Sequence, residues 1–276
     1  ISSFNLNNVI SYHCNDLIKN IKKNVYIELC GGLGNRLFQV AFLYILNKMP
    51  WINCYYFERE KNNHNTSQLW CHEILSSLNI QNRYPQNNRI FINESHSNEY
   101  DIDIFQKIIK STEKNVNINK YFQSHKYFEN YKSDINDLID KFLFKNQVNF
   151  TKNMDNKVFI HIRGGDFLLS QFANHKLNLI NYFKKCIKDI GIDKEHVIFT
   201  NDKNYALEIL NKISTELNIN YEIMDNLSTI ETLYYMSKCG KGCICSNSSF
   251  SWWGSYLNNT GCPVYMPDVR YKDLKH

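Results

Sequence analysis

Arg163-Gly164-Gly165-Asp166 sets a permanently charged guanidinium beside two glycines that permit close backbone approach. A planar fork of that kind suits a diphosphate, which it grips with two parallel hydrogen bonds. Ser246-Asn247-Ser248-Ser249-Phe250 is a second polar cluster, placed where a helix would begin. Its hydroxyls and first-turn amides also favour an anion. A plainer reading weighs equally at this stage: Arg163 only pairs with Asp166, and Ser248 or Ser249 only caps a helix.

Gly31-Gly32-Leu33-Gly34-Asn35-Arg36 is the third motif of interest. It lacks the third glycine of a dinucleotide fingerprint and the terminal Lys-Ser/Thr of a P-loop, so neither site follows from it. Asn35 and Arg36 at the start of a helix are the functional candidates, and a simple strand-to-helix turn is the alternative. Cys239, Cys243 and Cys245 lack the paired spacing of a structural zinc site and read as buried strand thiols; His13-Cys14 and Cys71-His72 are isolated pairs. Glu28, Asp166, His125 and His161 are all conceivable general bases, with none singled out. Trp252-Trp253 reads as core packing ahead of sugar stacking.

Short apolar runs must carry these motifs. In the first half, residues 25–30 and 51–57 read as strands and the stripe Leu37, Phe38, Ala41, Phe42, Ile45, Leu46 as a helix that stops at Met49-Pro50. Residues 61–67 read as a polar loop, with helical patterns at 68–78 and 102–109. The second half is more regular. Strands are expected at 158–163, 196–200, 221–224, 242–245 and 263–266, alternating with helices at 174–190, 205–217, 228–239 and 250–257. That alternation predicts a doubly wound parallel sheet. Every strand there ends in polar or small residues, Asn201-Asp202 and Asp225-Asn226 among them, and this is the ligand-binding edge of such a sheet.

A chain of 276 residues, 43% hydrophobic, can bury a sizeable core. The expected organisation is an extension over 1–24, a first lobe over 25–150 and a second over 151–276. A net charge of +5 with no basic tract predicts no nucleic-acid partner, yet is compatible with nucleoside diphosphates. Nine cysteines make no disulfide framework and point to a reducing, cytoplasmic compartment; an anchor upstream of Ile1 would instead place the chain in the secretory lumen. No run approaches the ~20 apolar residues of a membrane helix, so membrane association is expected only through a segment outside this sequence.

Four segments carry a family resemblance: Gly31–Gln39, Tyr121–Phe128, His161–Asp166 and, most specific, Ser246–Gly254. In order, they resemble the signatures of the alpha-1,2-fucosyltransferases, glycosyltransferase family 11, over about residues 25–268. The resemblance implies an α/β, GT-B-like enzyme of two Rossmann-like lobes with parallel sheets and a cleft between them. It implies GDP-L-fucose as donor in the second lobe, a glycan acceptor on the side of the first, and no metal or other cofactor. Transfer would invert the anomeric centre, alpha-1,2 to a galactoside. His161, Arg163 and Asp166 would belong to the donor motif, Arg163 neutralising the β-phosphate as GDP departs. Asn35 would face the same cleft, with Gly31, Gly32, Gly34 and Arg36 forming its loop. Asn247, Ser248, Ser249 and Phe250 would contact the nucleotide, and Asp202 and Asp225 its ribose or guanine. Residues 62–119 would shape the acceptor site.

Two departures stand out. Gly164 takes the place of the family's second arginine, and Arg36 that of a glutamine. The expectation is that Arg36, or a lysine such as Lys126, partly replaces the lost cation. The same departure admits another nucleotide sugar as donor, or a catalytically silent glycan- or nucleotide-binding domain.

Overall fold

The computed structural model describes residues 22–58, 65–85, 89–93, 100–144, 151–169 and 177–268. Most of the expected extension, the pair His13-Cys14 and the first residues of the helix expected from 174 lie outside them. The chain divides into two compact units, Ile1–Asn146 and Gln147–His276.

In the first unit, β1 (Lys23–Glu28), α1 (Leu33–Asn47), β2 (Ile52–Phe57), α2 (Asn65–Ser77) and β3 (Gln81–Asn82) are followed by β4 (Arg89–Asn93), α3 (Ile104–Lys110), β5 (Asn115–Asn119) and α4 (Lys132–Ile139). Five strands lie in the order β3-β2-β1-β5-β4, every pair parallel. Val25, Tyr26 and Ile27 of β1 are fully buried, which explains a continuous apolar run: a central parallel strand has no solvent face. Lys23 and Asn24 already belong to β1, within the stretch set aside as an extension. α2 starts at Asn65, within the expected polar loop. β4 and β5 fall where the sequence reading placed no strand. β5 reads Asn-Val-Asn-Ile-Asn, and asparagine disfavours strands, yet Val116 and Ile118 are fully buried between β1 and β4. Burial overrides the propensity there.

The second unit runs β6 (Lys157–Ile162), α5 (Ile180–Ile190), β7 (Glu195–Thr200), α6 (Lys203–Ser214), β8 (Asn220–Ile223), α7 (Thr229–Lys238), β9 (Gly242–Ile244), α8 (Ser249–Tyr256) and β10 (Val264–Tyr265). Its strands lie in the order β10-β9-β6-β7-β8, again all parallel. The period of two along the strands sorts the core into two layers. Val158, Ile160 and Ile162 pack with Phe183 and Ile187 of α5 and Ala206 and Leu210 of α6. Phe159, Phe199, Cys243 and Cys245 pack with Tyr235, Met236 and Cys239 beside α7.

Both sheets share a topological feature. β6 lies at the centre of its sheet; the chain moves outward through β7 and β8, then crosses to β9 and β10 on the other side. The strand order reverses between β6 and β9, and loops diverging from such a point leave a crevice at the carboxyl edge. In the first sheet the equivalent point lies between β1 and β5. No helix among the described residues is long and apolar enough to cross a membrane.

Candidate functional site

At the carboxyl end of β6 the Arg163–Asp166 loop is built on two clamps. Gly164 N–H donates to Asn201 Oδ1 at 2.9 Å, and Asn201 Nδ2 donates back to the Gly164 carbonyl at 3.2 Å. Gly165 N–H donates to Asp202 Oδ2 at 3.1 Å, while Asp202 Oδ1 caps α6 by accepting from the Tyr205 amide at 3.0 Å. The glycines are required by this arrangement. Gly165 has φ +59°, and a Cβ on Gly164 would lie 2.7 Å from Asp202 Cβ and 3.0 Å from the Tyr205 ring. The second arginine of the family therefore has no room here, and Gly164 is a fitted part of the loop. Asn201, read from the sequence only as part of a polar strand end, is the residue that clamps the Gly164 backbone from both sides.

The clamped loop presents Arg163. Its Nη2 donates to Asp166 Oδ1 at 2.6 Å, its guanidinium carbon stands 5.1 Å from the Phe167 ring centre, and its buried Nε has no hydrogen-bond partner. The side chain remains 25% exposed, so the fork is neither lost to the core nor free to wander. Arg163, Asn247, Phe167 and Tyr205 line a small cavity floored by Ile162 and Ile209. The Arg163–Asp166 pairing foreseen as the plain alternative is thus present, and it holds the guanidinium at the cavity.

The β9 loop meets the β6 loop directly. His161 is buried, and its Nδ1 lies 2.7 Å from Ser246 Oγ. Burial first, and the Arg163 charge second, press the imidazole down to about 3, so it stays neutral and is a very weak base. Its job is to tie β6 to the loop after β9. Ser248 Oγ accepts from the Phe250 amide at 3.3 Å, so this serine caps α8 as the plain reading held, with Ser249 the first residue of that helix. Phe250 stands 6.0 Å from the His161 ring, and Trp253 is fully buried, in keeping with core packing. Asp202 is engaged by two backbone amides, which makes it a builder of the turn. Asp225 follows β8, two strands away from β6, and is ion-paired with Lys203; the structure does not bring it to Arg163.

The first unit repeats the logic at the β1–β5 switch point. Gly31, with φ +76°, turns the chain out of β1, and the Gly32 carbonyl accepts from the amides of Asn35 and Arg36 at 3.0 and 3.1 Å. Gly34 is buried within α1. Asn35 Oδ1 accepts from Gln123 Nε2 at 2.6 Å, bridging the β1 and β5 loops. Gln123 follows Phe122, a left-handed residue with φ +56° held by stacking at 3.8 Å on Phe42. Arg36 corrects an expectation. It is fully buried, donates from Nε to the Gly31 carbonyl at 2.8 Å and forms an ion pair with Glu58, whose carboxylate also lies 3.2 Å from His72 Nε2. It braces the glycine loop from inside the fold, with its Nη2 buried and without a hydrogen-bond partner among the described residues. Lys126 is exposed, its ammonium 6.0 Å from the Tyr100 ring. Cys243 and Cys245 are buried thiols in and just after β9 and Cys239 is buried at the end of α7, and no three His, Cys, Asp or Glu side chains among the described residues cluster as metal ligands.

Comparison with known proteins follows the same pattern. The chain is 31% identical over 112 residues to the O-antigen biosynthesis glycosyltransferase WbnK of Escherichia coli, covering 37% of this chain and 35% of that one. It is 26% identical over 164 residues to a Caenorhabditis elegans protein assigned as a galactoside 2-alpha-L-fucosyltransferase, covering 55% and 44%. It is 24% identical over 263 residues to an alpha-1,2-colitosyltransferase of Escherichia coli, covering 85% and 88%. The chain thus matches under half the length of the first two relatives. Among solved structures, POFUT1 in complex with GDP aligns with 91% of this chain and 99% of its own at 11% identity and a TM-score of 0.43. The family model described as glycosyl transferase family 11 matches residues 5–273, so all but the first four residues of the supposed extension lie within the family's span. With its four motifs gathered in pairs at two switch points, this chain belongs to glycosyl transferase family 11.

Proposed function

We propose that the chain is a metal-independent, inverting glycosyltransferase that moves L-fucose from GDP-L-fucose to a glycan hydroxyl, alpha-1,2 to a galactoside. One observation carries the reading: the half-buried Arg163 guanidinium, paired with Asp166 on a loop whose Gly164 and Gly165 amides are clamped by Asn201 and Asp202, is presented at the switch point of a parallel sheet. Negative charge builds on the leaving diphosphate in such a transfer, and a fixed cation there stabilises the transition state more than the ground state. Arg163 fills that role, with Asn247 across the cavity and the amides of the α8 start on the same edge. Asn35 and Gln123 form the counterpart in the first unit, on the acceptor side. Kinship to a fucosyltransferase-named relative and to family 11 supports the donor. A second reading, the same chemistry with another nucleotide sugar, is favoured by the colitosyltransferase, whose match spans 85% of this chain and 88% of its own.

A panel of nucleotide sugars tests both readings, with and without chelator. Release of GDP from GDP-fucose alone, unaffected by EDTA, supports the first; release only from another donor supports the second. Arg163→Ala is expected to fold normally and to lose about 10²- to 10³-fold in turnover. Full turnover in that variant would overturn the site.

A further inference from the structure

Eight cysteines among the described residues are free thiols, and two of them sit together away from the Arg163 cavity. Cys243 Sγ, fully buried in β9, lies 3.6 Å from Cys262 Sγ in the loop that leads into β10. We propose that Cys243 and Cys262 form a reversible thiol–disulfide couple, with Cys262 as the attacking thiol and Cys243 as the resolving one. The two differ in the way such a pair needs. Cys262 is partly exposed and Cys243 is not. The hydrogen bond shared with Cys243 first, and Thr260 beside it, hold the Cys262 thiol below its usual range against the opposing effect of burial, while Cys262 Sγ also lies 3.5 Å from the Cys239 carbonyl. The same shared bond, together with burial, pushes the Cys243 thiol up. Thiolate character thus concentrates on the sulfur that solvent can reach.

The surroundings hold the two sulfurs near each other and leave one side compliant. Cys243 is fixed by the hydrogen bond its backbone N–H donates to the Pro263 carbonyl at 2.9 Å and by Asn258, whose Nδ2 lies 3.6 Å from Cys243 Sγ and 2.7 Å from the Cys239 carbonyl. Cys262 follows Gly261, which has φ +76° and open space where a side chain would project. A short loop on a glycine hinge can close the remaining gap to a bond of about 2.05 Å.

The chemistry balances with a small disulfide such as oxidised glutathione as oxidant. The Cys262 thiolate attacks one glutathione sulfur, the glutathione S–S bond breaks, and one glutathione leaves as a thiolate that takes up the proton Cys262 lost. Cys243 then gives up its proton and attacks Cys262 Sγ, expelling the second glutathione, which takes that proton. The protein loses two hydrogens and gains a bond that ties β10 to β9.

The native protein is treated with oxidised glutathione, quenched in acid, alkylated and mapped by mass spectrometry. A Cys243–Cys262 peptide, reversed by dithiothreitol, is expected, with a rise of about 3 °C or more in Tm because a loop of roughly 20 residues is closed in the unfolded chain. Cys262→Ser should abolish the bond. Cys243→Ala, which keeps a small apolar side chain in the core, should instead accumulate the mixed glutathione adduct on Cys262. The couple is refuted by a stable adduct without an internal bond in the native protein, by a Cys239–Cys262 link, or by an unreactive Cys262 in a folded Cys243→Ala variant.

Discussion

Single atoms decide the residue scale. Gly164 and Gly165 would pass as generic flexibility, yet the first faces Asp202 Cβ at a would-be 2.7 Å and the second occupies a left-handed conformation with Asn201 Nδ2 at a would-be 2.5 Å. Restoring the family's second arginine is therefore expected to harm. Gly164→Arg should cost about 1–3 kcal/mol in urea unfolding through overpacking, and weaken GDP binding by calorimetry as Asp202 is displaced. Gly165→Ala should cost about 1–2 kcal/mol from its backbone conformation alone, with the Asn201 clash added. Donor binding that improves in Gly164→Arg would show that the loop has the room the distances deny it.

At the scale of elements, the glycine loop and α1 depend on a buried ion pair. Arg36 joins the end of β1 to Glu58 just past β2, with side-chain exposures of 0% and 12%. Removing one partner of such a pair strands the other's charge, which costs about 3–5 kcal/mol. Arg36→Ala should thus lower stability by about that amount and reduce activity only in step with folding, whereas Arg36→Met with Glu58→Gln should recover much of the loss. Unfolding curves read beside specific activity per folded molecule separate this from a ligand-binding role. Most elements were legible because their apolar runs are uninterrupted or regularly spaced and their boundaries are marked: Met49-Pro50 after α1, Ser228 with Glu231 as a capping box before α7, Ser248 before α8. β4 and β5 were not. β4 is a bare three-residue apolar run, Ile-Phe-Ile, and β5 alternates asparagine with valine and isoleucine; both signals are weak in isolation, and only their neighbours make them strands.

For the whole molecule, pH is the informative variable. His161 sits near 6.5 when unfolded and is pressed to about 3 by burial when folded. Between those values the unfolded chain binds a proton that the folded chain does not, so stability falls as pH drops from 6.5 towards 3. His196, also lowered mainly by burial, adds in the same direction. At pH 4.5 the loss relative to pH 7 from His161 alone should be about 2–3 kcal/mol, and His161→Gln should flatten that slope. An unchanged slope in the variant would show that the imidazole is not desolvated as its surroundings imply.

By itself the sequence determined what local chemistry can encode: the alternating strands and helices of the second unit, the polar edge they share, and four motifs specific enough to carry a family resemblance. Tertiary structure alone decided which motifs meet. The loops after β6 and β9, some 80 residues apart, are joined through His161 and Ser246, and those after β1 and β5 through Asn35 and Gln123. Strand crossovers set these adjacencies, and a crossover leaves no mark in local spacing. Burial likewise turned Arg36 from a candidate ligand group into a brace and brought Cys243 within reach of Cys262, because solvent exclusion depends on everything packed around a residue.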